Sequence, residues 1–172
     1  VISNNGLAAS LLARQFRITE ISSDFDLHLQ KNDQSAYFIL TRHDSHAELV
    51  CKLLDHNKSI FVEKPLCISF DELRLVERHI ESFKMRNGRE PLLMVGLNRR
   101  FSPLIAEMKR VFSKIGGPKN LDLRMNAGHI PGNHWINNLS VGGGRLIGEG
   151  CHLIDLAYFI IDSPIVKTEI MP

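Results

Sequence analysis

The stretch SIFVEKPLCIS, residues 59–69, decides the fold class of this chain. A continuously apolar run at 60–62 ends abruptly in Glu63, Lys64 and Pro65. Short apolar runs of this kind are typical of a strand that is buried on both faces of a parallel sheet. The lysine is then either a solvated strand terminus or a proton carrier at the rim of the sheet.

The sequence around this strand alternates between two periodicities. Two further apolar segments of strand length, SAYFIL at 35–40 and PLLMVGLN at 91–98, lie on either side of it. Helical spacing fills the intervals at 45–57, where Ser45 is the expected N-cap, and at 69–88. The order strand-helix-strand-helix-strand with short links predicts βαβ units and a parallel sheet.

The remaining segments extend this pattern and then change it. Ser69 and Gly88 are the expected cap and end of the long helix between the second and third strands. The first half therefore resembles the later part of a doubly wound sheet, and the second half begins another domain. Further predicted elements are helices at 4–16, 102–117 and 148–162, a short helix with a turn within 22–33, strands at 119–128 and 164–171, and an irregular segment at 129–144.

Composition limits the class of protein. The 172 residues carry a formal charge of +2, and 44% hydrophobic residues suffice for a real core. The 21 lysines and arginines are dispersed without a basic stripe, which argues against a nucleic-acid partner. No apolar run approaches the roughly 20 residues of a membrane span, and no signal peptide is visible. Cys51, Cys67 and Cys151 fit neither a disulfide framework nor a zinc site, so we predict no metal and a cytoplasmic location.

Polar residues follow each of the three central strands. Thr41, Lys64 and Asn98 stand where the three predicted strands end. Ligands of open α/β sheets bind outside the carboxyl ends of the strands, so these residues are expected to line one crevice. The alternative is that strand ends are simply where polar loops begin.

A fourth signal lies in GGGRLIGEGCHLIDL, residues 142–156. Glu149, His152 and Asp155 recur at a spacing of three, which makes them neighbours on one helical face. A histidine beside carboxylates can serve as an acid or base near neutral pH. The alternative is a histidine that only caps or packs.

Taken together and in this order, these motifs resemble the Gfo/Idh/MocA family of NAD(P)-dependent sugar and cyclitol oxidoreductases. The resemblance rests on EKPL, GLNRRFSP and HW…GGG…H..D and runs from about residue 3 to the end. It is especially similar to the bi-domain subgroup, in which such a module follows a zinc-type alcohol-dehydrogenase module. The family implies a Rossmann domain, here 1–97, followed by an α+β domain, here 98–172, whose helix at 149–161 packs at the active site.

The resemblance also implies roles for individual residues. Lys64 would contact the substrate near the carbon that exchanges hydride, and His152, with Glu149, would handle the proton. Arg99, Trp135 and Asp155 are the candidate substrate residues, although Arg100 is an alternative to Arg99 and Trp135 is as readily a packing plug. The candidate cofactor-binding residues are Thr41, His46, Glu63, Pro65 and Asn98.

Two positions depart from the family pattern. Many members carry an aspartate four residues before the helical histidine, where this chain has Gly148. Glu149 lies one residue later, and one residue turns a helical side chain by about 100°. Glu149 can therefore take the role of that aspartate only if the helix begins differently in this chain than in those members. At the first strand end, Arg42 and His43 replace the Pro-Asn of many relatives.

The sequence contains no G-x-G-x-x-G turn of the kind that holds a dinucleotide pyrophosphate. We expect the first β-α-β unit and the rest of the second sheet to lie outside these 172 residues. The chain alone should then bind NAD(H) poorly, turn over nothing and expose an apolar strand edge. NAD and NADP both remain possible cofactors.

Three functional hypotheses follow. The leading one is a fragment of an oxidoreductase that transfers hydride between NAD(P) and a hydroxyl or carbonyl of a sugar, nucleotide sugar or cyclitol. It implies a small carbohydrate-like substrate and a homo-oligomer. The second is a non-catalytic sensor or scaffold that retains the fold, favoured by Gly148 and the missing glycine turn. A hydrolase that uses NAD transiently is allowed by the fold and favoured by no residue.

Overall fold

The computed structural model describes residues 1–30, 35–126 and 128–169. At its centre is a three-stranded parallel sheet in the order β1-β2-β3, in which Ile39, Val62 and Val95 lie side by side. This confirms the predicted α/β class and the parallel sheet. The strands are β1 (Ala36–Ile39), β2 (Ser59–Val62) and β3 (Leu93–Val95).

Helices precede, connect and follow these strands, at or near the positions that the sequence predicts. Within the described residues, no helix is long and apolar enough to cross a membrane. The α-helices are α1 (Gly6–Phe16), α2 (Phe25–Leu29), α3 (His46–Asp55), α4 (Phe70–Asn87), α5 (Pro103–Phe112) and α6 (Cys151–Ile161). Short 3₁₀ turns occupy His43–Ser45, Asn98–Phe101 and Trp135–Asn137.

The ends of the central helices follow local chemistry. The Ser69 hydroxyl accepts a hydrogen bond from the amide of Glu72 at 3.2 Å, which satisfies a free donor at the start of α4. Gly88 ends this helix at φ +63°, a left-handed conformation that favours glycine. Ser45 precedes α3 as predicted, but its hydroxyl donates to the carbonyl of Arg42 and makes no hydrogen bond to the helix amides.

The hydrophobic core lies between one face of the sheet and helices α3 and α4. Val62 of β2, Val50 and Leu54 of α3, and Val76 and Phe83 of α4 are at most 1% exposed. Burying each such side chain contributes about 1.5–3 kcal/mol, so this layer holds the strands in register.

Some apolar side chains of the sheet remain exposed, so the expectation that these strands are buried on both faces is wrong for the described residues. Phe38 of β1 and Leu40, directly after it, are 67% and 66% exposed, and Met94 of β3 is 45% exposed. The Phe38 ring packs on Phe61 of β2, with centroids 5.5 Å apart.

The prediction of a strand at 119–128 is wrong. Residues 121–126 alternate between partial burial and exposure, as the sequence pattern suggests, yet they pair with no other described segment. A strand requires a hydrogen-bonded neighbour, and alternation alone cannot supply one. Residues 164–169, predicted as strand, are likewise irregular for the same reason. The predicted turn at 31–33, residue 127 of the first segment and residues 170–171 of the second lie outside the described residues.

Candidate active site

Three strand ends meet at one edge of the sheet. Because β1, β2 and β3 are parallel and in register, Thr41, Lys64 and Asn98 follow the same edge two or three residues after each strand. Thr41 and Asn98 are exposed, and the Thr41 hydroxyl lies 2.6 Å from that of Ser45. The three residues therefore lie at one edge of the sheet, and that they line a ligand crevice stays a prediction.

Lys64 is not a solvated strand terminus. Its side chain is 16% exposed, and its ammonium group donates a hydrogen bond to the carbonyl of Gly148 at 2.5 Å. The same nitrogen lies 3.5 Å from Oε1 of Glu149, which forms an ion pair across 85 residues of sequence. The strand end thus points directly at the segment that precedes α6.

A π turn explains how Glu149 reaches Lys64. A regular α-helix would direct Glu149 about 100° away from position 148. Residues Leu146–Gly150 instead form a single π turn, whose hydrogen bonds span one residue more than those of an α-helix. This additional residue offsets the one-residue displacement of the acid, and the Glu149 carboxylate faces the lysine. The helix therefore begins differently, as the sequence argument requires.

His152 is buried beside this ion pair, in the first turn of α6. It is 4% exposed, and its Nδ1 has no hydrogen-bond partner among the described residues. Burial, followed by the nearby charges of Lys64 and Arg99, lowers the pKa of His152 below 6.5, against smaller opposing effects of Glu149 and Asp155. The imidazole is consequently neutral at pH 7 and able to accept a proton.

The Asp155 carboxylate already forms an ion pair with an arginine. This carboxylate, 5% exposed, accepts hydrogen bonds from Nε of Arg100 at 3.1 Å and from Nη2 of the same residue. This bond raises the pKa of Arg100, whose guanidinium also lies over the ring of Phe159. The pair fastens the turn after β3 to α6, so a substrate contact by Asp155 or Arg100 would require it to open. Arg99 is exposed.

His43 is a buried residue that the sequence argument did not assign to the site. It is 6% exposed, its Nδ1 lies 2.8 Å from the carbonyl of Gly142, and burial lowers its pKa. The Trp135 ring meets it edge to face at 4.9 Å and also contacts Arg42 and His134. Trp135 is therefore packed among protein side chains in this structure. The sequence signal that could have identified His43 was its position two residues after Thr41, the polar residue that follows β1.

Of the remaining candidate cofactor residues, Glu63 and Pro65 lie in the turn after β2, and His46 begins α3. The amide of Lys64 donates to the carboxylate of Glu63 at 3.3 Å, and the peptide bond between Lys64 and Pro65 is cis. His46 is fully buried, and its two ring nitrogens lie 2.7 Å from the carbonyl of Pro65 and 3.1 Å from that of Thr41. The His46 ring is thus engaged within the chain on both sides.

Comparison with known proteins agrees with this architecture. Residues 1–87 match the family model described as oxidoreductase family, NAD-binding Rossmann fold. Inositol 2-dehydrogenase 2 of Saccharopolyspora erythraea is 31% identical over 95% of this chain and 45% of the relative. The scyllo-inositol 2-dehydrogenase (NAD(+)) of Bacillus subtilis is 27% identical over 92% of this chain and 44% of the relative.

The solved structures show the same fold. A levoglucosan dehydrogenase in complex with NADH superposes with a TM-score of 0.75 at 23% identity, over 93% of this chain and 43% of that one. The chain spans less than half the length of the curated relatives it matches. With half of its residues matched by the family model, the chain belongs to the Gfo/Idh/MocA family of NAD-binding Rossmann-fold oxidoreductases.

Proposed function

We propose that this chain forms the catalytic edge of an NAD-dependent dehydrogenase that acts on a hydroxyl group of a sugar or cyclitol. The observation that carries the proposal is the Lys64–Glu149 ion pair beside the buried, neutral His152, at the carboxyl edge of a parallel sheet. Relatives named as inositol and scyllo-inositol dehydrogenases support the substrate class.

Oxidation of an alcohol removes a hydride from carbon and a proton from oxygen. NAD, when bound, accepts the hydride. His152 accepts the hydroxyl proton. It can do so because its lowered pKa keeps the imidazole in the neutral, basic form. Lys64 donates a hydrogen bond to the same oxygen and stabilises the negative charge that develops there. Glu149, 3.5 Å from Lys64 Nζ, orients that ammonium group and balances its charge. Reduction of a carbonyl runs through the same groups in reverse.

The residues present fit the nicotinamide end of the cofactor. The exposed Thr41 and Asn98 flank Lys64 at the strand ends, and the buried Nδ1 of His152 has no hydrogen-bond partner in the described part of the chain. These two exposed residues and the turn at 63–65 would hold that end. Residues 98–172 would then form the substrate side, because they supply both Glu149 and His152.

The test uses the full-length protein that contains this chain. NADH formation is followed by absorbance with myo-inositol, scyllo-inositol and levoglucosan as probes. Lys64→Met should lower kcat/KM by about 10²–10⁴-fold while circular dichroism shows an unchanged fold. Lys84→Met is the matched control, because Lys84 pairs with the exposed carboxylates of Glu81 and Glu90 and with no residue proposed for the site.

Two results would contradict the proposal. One is a Lys64→Met protein as active as the wild type. The other is a folded wild type that does not bind NADH in calorimetry. Binding of NADH without turnover of any hydroxylated probe would instead favour the non-catalytic sensor.

A further inference from the structure

His46 links two strand ends through its ring. It is 0% exposed at the first position of α3, and each of its nitrogens faces a backbone carbonyl. Nδ1 lies 2.7 Å from the oxygen of Pro65, after β2, and Nε2 lies 3.1 Å from the oxygen of Thr41, after β1. The ring therefore bridges the two loops between which Lys64 emerges.

The neutral His46 ring can donate a hydrogen bond to only one of these two carbonyls. A carbonyl oxygen only accepts hydrogen bonds, so each contact needs an N–H on the ring. A neutral imidazole has one N–H, which we assign to Nδ1 because its 2.7 Å contact with Pro65 is shorter than the 3.1 Å contact of Nε2 with Thr41. An imidazolium donates to both oxygens. In either form the Pro65 carbonyl is held.

The Pro65 carbonyl belongs to the residue that follows Lys64. On the other side, the amide of Lys64 bonds to the carboxylate of Glu63 at 3.3 Å. With its neighbouring backbone held in this way, the lysine side chain extends to the carbonyl of Gly148 and to Glu149. A small rotation of this turn would carry Nζ away from both partners.

We propose that His46 is a positioning residue for Lys64. It acts through the Pro65 carbonyl and touches neither substrate nor cofactor. This inference rests on the proposed function, in which Lys64 contacts the reacting oxygen. A displacement of about 1 Å at such a group can lower turnover about 100-fold.

A matched pair of variants separates the two bonds of the ring. In His46→Asn, the side-chain amide reaches only as far as Nδ1, so it can donate to Pro65 and loses Thr41. In His46→Gln, the amide nitrogen lies near the place of Nε2, so it can donate to Thr41 and loses Pro65. Both variants remove the ring and its packing, so a difference between them reports which carbonyl is held.

Two measurements on the full-length protein test the proposal. With the same three polyols as probes, His46→Gln should lower kcat by about 10–100-fold with KM changed less than about threefold, and His46→Asn should restore most of kcat. Independently of activity, the rate at which acetic anhydride acetylates Lys64 is measured by mass spectrometry against exposed Lys114. This rate should rise several-fold in His46→Gln and stay near the wild-type value in His46→Asn.

The outcomes are distinguishable. Equal losses in the two variants, in kcat and in labelling, or misfolding of both alike, would overturn the proposal in favour of a merely structural role. Two variants indistinguishable from the wild type would also overturn it. If the wild type has no activity on any probe while labelling of Lys64 still rises only in His46→Gln, the positioning role stands and the proposed function fails.

Discussion

Substitution of Gly142 by alanine should displace the loop that carries Trp135. An added Cβ at this position would lie 2.4 Å from both Cα and the carbonyl oxygen of Ile136, whereas ordinary contacts measure 3.4–4 Å. The backbone must therefore move by about 1 Å. Overpacking of this kind destabilises by about 1–3 kcal/mol, and loss of the bond between His43 and the Gly142 carbonyl adds about 1 kcal/mol.

The total, about 2–4 kcal/mol, is measurable by urea unfolding followed by circular dichroism. Gly132→Ala is the matched control, since an added Cβ there meets nothing within 4 Å and should change the free energy of unfolding by less than about 0.5 kcal/mol. If the two variants were equally stable, residues 135–142 would not be packed as described, and Trp135 would not be a packing residue.

Three further predictions concern stability. Ser69→Ala should lower the free energy of unfolding by about 1 kcal/mol in urea titrations, because it removes the cap on α4, whereas Ser10→Ala, whose hydroxyl caps no helix amide and donates to the Gly6 carbonyl within α1, should not. Phe83→Ala should cost about 3–5 kcal/mol in the same assay, and Phe70→Ala, 81% exposed, should cost little. The folded-state pKa values of His43 and His152 are lowered, so the unfolded state binds more protons below pH 6.5. Stability should therefore be retained above that pH and be lost as the pH falls below it, and His152→Gln should reduce this loss in urea midpoints measured at pH 5.5 and 7.5.

Local sequence determined the elements and their order. The apolar runs at 35–40, 59–62 and 91–95 become the three parallel strands, although helices cover only one face of the sheet within the described residues. Since parallel strands end at the same edge, the juxtaposition of Thr41, Lys64 and Asn98 followed from the order alone. The spacing of Glu149, His152 and Asp155 likewise identified the segment that faces them.

Only the tertiary structure decided which partner each of these side chains has. The π turn at 146–150, which brings Glu149 to Lys64, leaves no signature in a regular helical pattern. Arg100 forms an ion pair with Asp155, and the ring nitrogens of His46 contact two backbone carbonyls. These partners are not neighbours in the sequence. The segment at 121–126 shows the same limit, because its alternation is local whereas the neighbour that makes a strand is not. Periodicity is a property of adjacent residues, but hydrogen-bond partners are chosen by packing.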